Sequence, residues 1–115
     1  MIRKRDQLPA KLSHLQGPCV SFDLLDKDGH YGYFAVSLRG PTGYGEIHNI
    51  MERWSHSLMR QLLETDFEQF KEACRALGVK RFVARKSGPD PKWVKFIKRF
   101  GFSEPRIVLV AQLEV

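Results

Sequence analysis

The stretch "ACRALGVKRFVARK", Ala73 to Lys86, decides the fold. Its first half ends an apolar stripe of Leu58, Leu62, Leu63, Phe67, Phe70, Cys74 and Leu77, set at the intervals of one helical face. The spacing predicts a helix over 55–77, capped at its start by Ser55 or Ser57. Gly78 can take the left-handed conformation that ends a helix. "VKRFVARK" (79–86) follows too directly to be anything but a strand. Before the helix, "YGEIHNI" (44–50) also reads as a strand. A strand, a long helix and a strand form a right-handed crossover, so 79–86 lies parallel to 44–50.

On the N-terminal side, "CVSFDLL" (19–25) and "HYGYFAVSL" (30–38) form a hairpin around the turn "DKDG" (26–29). "RGPTG" (39–43) breaks the chain, and the 44–50 strand is antiparallel to the second by adjacency. Residues 1–17 mix charge with Pro9 and Gly17, and Pro18 follows. They read as an irregular arm with one turn of helix. On the C-terminal side, "SGPDP" (87–91) is a loop, with Asp90 as N-cap and Pro91 at the first helical position. The helix 91–100 turns Trp93, Phe96, Ile97 and Phe100 inward, Gly101-Phe102 stops it, and "RIVLVAQLEV" (106–115) is the closing strand. The order β-β-β-α-β-α-β makes an α/β mixed sheet with helices packed on its faces. Residues 1–18 are the arm and 19–115 the domain.

With 115 residues, 43% of them hydrophobic, the chain suffices for one core without metal or disulfide staples. Cys19 and Cys74 read as structural thiols in a reducing compartment. His14, His30, His48 and His56 show no metal-ligand spacing. No run approaches the about 20 apolar residues of a membrane span, so a cytoplasmic location and no membrane partner are expected. The net charge of +6 comes with two basic clusters. One is Arg3, Lys4, Arg5 and Lys11; the other runs from Lys80 to Arg99. Such a surface attracts nucleic acid, cofactor phosphates or an acidic protein, or is simply a solvated face.

Four phrases give the chain a resemblance to the GNAT superfamily of acyl-CoA-dependent N-acyltransferases: "DKDGHYGYFAVSL", "GEIHNI", "ACRALGVKRFVA" and "DPKWVKFIKRFGF". It covers residues 19 to 115, with the family's first strand and first two helices reduced to the arm. The resemblance implies a glycine-rich loop at the start of the long helix, closing its amides on the cofactor's pyrophosphate. Here the chain reads "SHSLMRQLL" (55–63), with no glycine between Gly45 and Gly78. Arg53, Ser55, Ser57 and Arg60 are the candidates for contacting phosphate instead. The tyrosine that many members place four residues before the Gly-Phe glycine, to protonate the leaving thiolate, corresponds to Ile97. Lys98 beside it should point to solvent, and Asp90 stands where an asparagine commonly opens the helix. A general base is sought at Glu46 or His48, which alternate onto one face of the strand, with Glu52 just beyond.

A scaffold kept without its apparatus predicts a catalytically degenerate protein, needing no cofactor and acting as a binding or structural component. It is similar to short acetyltransferase-like proteins of tailed phages, some of them virion components, which would make the location a virion. Its partner is then an acidic protein or assembly, with nucleic acid possible through the basic face and the oligomeric state open. The alternative is an N-acetyltransferase using acetyl-CoA at a divergent site, where orientation alone removes much of the barrier.

Overall fold

The crossover decided by Gly78 is built as its sequence implies. In a computed structural model describing residues 1–85, 90–103 and 110–115, Gly78 has φ of 87°. The Val79 amide donates to the Cys74 carbonyl and the Gly78 amide to that of Arg75, the paired bonds of a Schellman close. The chain then enters a strand that lies parallel to its predecessor. Gly45 makes that packing possible: a Cβ there would stand 2.6 Å from Val36 Cγ2 and 3.1 Å from Val79 Cγ1.

Six strands run β1 (Ile2–Lys4), β2 (Cys19–Asp26), β3 (Gly29–Ser37), β4 (Tyr44–Met51), β5 (Arg81–Arg85) and β6 (Val110–Glu114). They lie side by side in chain order. Neighbours are antiparallel except β4 and β5. β2 and β3 form the expected hairpin, with one irregularity: Leu24 pairs with Gly32 and Leu25 with His30, leaving Tyr31 as the extra residue of a β-bulge. The arm differs from its sequence reading, since Ile2–Lys4 pairs with Phe22–Leu24 as an edge strand. The expected helical turn is the 3-10 turn Ala10–Leu12.

The predicted long helix is α1 (His56–Gln61), a π-helical turn (Leu62–Asp66) and α2 (Phe67–Ala76). Ser55 is its N-cap, its Oγ accepting from the Leu58 amide. Between the buried Leu62 and Phe67 the wide turn inserts a residue, which carries Asp66 into the core with no exposed surface. Leu63 is only half-buried and Leu77 is exposed, so the stripe is narrower than its spacing suggested. α3 (Pro91–Lys98) starts at Asp90, whose carboxylate accepts from the Trp93 amide. The expectation for 87–91 falls partly, and that for residues 106–109 wholly, outside the described residues.

All three helices pack on one side of the sheet. Phe70 meets Phe22, Phe34 and Phe82, while Phe100 meets Phe34 and Phe67. Edge-to-face and offset pairs of this kind add about 0.5–1.5 kcal/mol each beyond burial. The reverse side carries the arm, with Leu12 buried there beside a strand face that includes Ala35 and Val83.

Candidate functional site

β4 and β5 share three register pairs, Tyr44 with Arg81, Gly45 with Phe82 and Glu46 with Val83. Beyond them β4 runs on to Met51 beside β3 while β5 runs to Arg85 beside β6, so the parallel pair parts toward its C-terminal end. Side chains fill the gap that opens. Trp93, Phe96 and Phe100 of the α3 segment enter over Phe34, Ile47 and Ala84, leaving a cavity of about 110 Å³. Phe96 also meets the exposed ring of Trp54, centroids 6.0 Å apart. Ile97, where the resemblance reserves a proton-donating tyrosine, is apolar and 4% exposed. Lys98 is exposed, as expected.

At the start of α1, Arg53, Ser55 and Ser57 line one open hollow, and Arg60 is exposed outside it. Arg53 is already engaged. Its Nη2 donates to Asp26 Oδ1 at 2.6 Å and to the Gly29 carbonyl at 3.3 Å, and its Nε donates to the His30 carbonyl at 3.1 Å. That hydrogen bond from Arg53 holds the Asp26 carboxyl below its usual range. Ser55 Oγ occupies the Leu58 amide at 3.1 Å, and the Met59 amide donates to the Ser55 carbonyl. Of the amides left without an intrahelical partner at this helix start, that of Leu58 is therefore already taken by the cap.

Glu46 and His48 leave β4 on the reverse side and line a groove of about 710 Å³ together with His14, Arg39, Tyr44 and Arg85. His48 Nε2 lies 3.8 Å from Glu46 Oε1, and Arg85 Nε lies 3.5 Å from Glu46 Oε2. His48 Nε2 is buried and has no hydrogen-bond partner among the described residues. Burial pushes the His48 imidazole below its ordinary pKa, Glu46 opposes that and His14 adds to it, so the ring is neutral at pH 7. Position-by-position alternation along β4 brought Glu46 and His48 together correctly; the contributions of His14 and Arg39 come from loops and left no sequence signal.

Glu52 is not part of this groove. It lies with His30, whose Nδ1 is 3.6 Å from Glu52 Oε2 and whose Nε2 is 3.2 Å from Asp23 Oδ1. Asp23 also accepts from Arg5 at 2.8 Å and Arg3 at 3.1 Å. Burial alone would raise its carboxyl, yet the two arginine hydrogen bonds outweigh it and the pKa falls below its usual range. Sequence reasoning missed this cluster, which ties the arm to the hairpin. Among the described residues no group of three or more His, Cys, Asp or Glu side chains is placed to hold a metal ion.

No protein-family model and no curated protein matches the chain by sequence. Solved structures do match. A Klebsiella pneumoniae protein named as a candidate acyl-CoA N-acyltransferase superposes with a TM-score of 0.73 at 13% identity, over 99% of this chain and 96% of its own. The GNAT domain of Streptomyces lividans PAT gives 0.69 at 16% identity, over 95% and 70%. A candidate GNAT-family acetyltransferase from Desulfovibrio desulfuricans gives 0.64 at 18% identity, over 84% and 69%. With its six-stranded mixed sheet and the helices packed on it, the chain has the GNAT fold.

Proposed function

We propose that this chain is a catalytically degenerate protein on the GNAT acyltransferase scaffold, working by binding rather than by acyl transfer. The observation that carries the reading is the filled seam. A pocket for a ligand of cofactor size is about 300–1,000 Å³, whereas the cavity that the described residues leave between β4 and β5 is about 110 Å³; the hollow at the start of α1 is larger, about 690 Å³, but Asp26 and Asp28 share its lining with Arg53. Phe96, which lines the seam cavity, packs against Trp54, and Arg53 is committed to the hairpin turn. The small seam cavity and the engaged arginine count against an acyl-CoA here. The charge of +6 favours an acidic protein partner over a neutral one. A structural part in an assembly, such as a phage virion, is consistent with such a role, and otherwise the protein works in the cytoplasm.

The test is thermal unfolding with acetyl-CoA. A ligand that binds the native state raises the melting temperature in proportion to the logarithm of its excess over Kd. Millimolar acetyl-CoA is expected to leave the transition where it is, and a dose-dependent rise would overturn the reading. A second reading, acetyl-CoA-dependent N-acetyltransferase, draws on one observation: the parallel pair does part, and Glu46 and His48 stand on the reverse side of that parting. The same titration decides between the two.

A further inference from the structure

We propose that the reverse-side groove of Glu46, His48, Arg39 and Arg85 is a recognition site for an acidic peptide segment of a partner protein. The proposal rests on the binding reading above and names the surface and chemistry by which binding occurs. Three features carry it.

The first is a stranded polar atom. His48 Nε2 is buried with no hydrogen-bond partner among the described residues, and Glu46 Oε1 at 3.8 Å is too far to supply one. Buried polar groups are almost always satisfied, and one left unpaired costs about 1–3 kcal/mol. At the floor of an open groove, the missing partner is a group supplied by whatever lies in the groove.

The second is the distribution of charge. Glu46 is the acidic group among the groove's lining residues, and Arg85 already stands 3.5 Å from it. Arg39 is exposed on the rim and has no partner among the described residues, and His14 lies exposed on the same rim. The rim therefore attracts carboxylates, while the floor offers one acceptor at Glu46 and an imidazole nitrogen at His48. A peptide backbone supplies both an N–H for Glu46 and a carbonyl for a protonated His48 nitrogen, and acidic side chains meet the arginines in paired hydrogen bonds. A free amine would meet the two arginines unfavourably.

The third is what the groove lacks. The Tyr44 ring is covered by the Arg81 guanidinium at 5.7 Å, so it is not an open platform on which bases stack. A peptide is favoured over a nucleic acid on this count.

The experiment uses a short fluorescein-labelled peptide of alternating glutamate and alanine, with its glutamine counterpart and a single-stranded oligothymidine as controls. Anisotropy is read at low salt against the whole chain. The glutamate peptide is expected to bind at least about tenfold more tightly than the glutamine peptide. Arg39→Glu with Arg85→Glu abolishes that difference, while circular dichroism stays unchanged because both side chains are exposed. His48→Phe weakens binding by about tenfold by removing the ring nitrogens. Equal binding of the two peptides, tighter binding of oligothymidine, or indifference to the double charge reversal would each overturn the proposal. Acetyl-CoA stabilisation alongside groove-dependent peptide binding would sink the non-catalytic reading and leave the groove standing.

Discussion

Tyr31 donates a hydrogen bond to the Asp66 carboxylate inside the protein, joining two local departures from regular structure. Tyr31 is the residue the β-bulge adds to β3, and Asp66 closes the π-helical turn. Each irregularity re-aims one side chain, and the two side chains meet. Asp66 also accepts from Gln61 Nε2 at 2.9 Å and from the Met1 amino group at 2.5 Å. Burial and the Asp66 charge push the Tyr31 phenol well above its usual pKa, so it stays a donor.

Removing the carboxylate strands the buried Tyr31 hydroxyl and takes away the acceptor shared by Gln61 and the Met1 amino group. Asp66→Ala loses three hydrogen bonds to a charged group and leaves Tyr31 unpaired, so it is expected to cost at least about 3 kcal/mol. Tyr31→Phe removes one donor and leaves Asp66 two others, so it should cost about 1–3 kcal/mol. Urea unfolding monitored by circular dichroism measures both, and equal costs for the two variants would contradict this account.

Gly45→Ala places a methyl group against Val36 and Val79 at the start of the parallel pair. Overpacking of this kind costs about 1–3 kcal/mol. Pairing it with Val36→Ala should recover part of the loss, because the nearest clash is with Val36 Cγ2. A double mutant as unstable as the sum of the singles would place the strain elsewhere.

The two thiols should differ. Cys74 is fully buried, and burial pushes its thiol up to about 12, while Cys19 is partly exposed. A thiol reagent such as dithionitrobenzoate at pH 8 should modify Cys19 in the native protein and reach Cys74 only on unfolding. Rapid native modification of both would refute the packing of α2.

His48 gives stability a pH dependence of definite sign. Its folded pKa is lowered by burial, so the unfolded chain binds more protons between that value and the unfolded value of about 6.5. The contribution is complete above that value and is lost as pH falls toward the folded pKa. His48→Gln should make the loss of stability between about pH 7 and pH 5 shallower. An identical slope in wild type and variant would show that the ring is not buried neutral.

The crossover and hairpin were legible because their signals are local: Gly78 after a helical stripe, and Asp26 to Gly29 between two β-rich runs. The π turn was also written in the sequence, as the five-residue step from Leu62 to Phe67. Leu63 disguised it by completing an apparent four-residue step, although that side chain is only half-buried. β1 was missed because three residues are too few to show alternation, and its pairing with β2 is set by contacts about 20 positions away. Of the candidate site, the absence of glycine and of tyrosine was plain. The capture of Arg53 by Asp26 was not, since an arginine's partner is chosen by the folded hairpin rather than by its neighbours in the chain.

Helices crowded onto a single side of the sheet give the two sides separate histories. The side chains of Glu46, His48 and Arg85 lie outside the phenylalanine cluster. The outer side is thus free to drift or be re-engineered toward new specificities while the scaffold's cohesion is inherited intact.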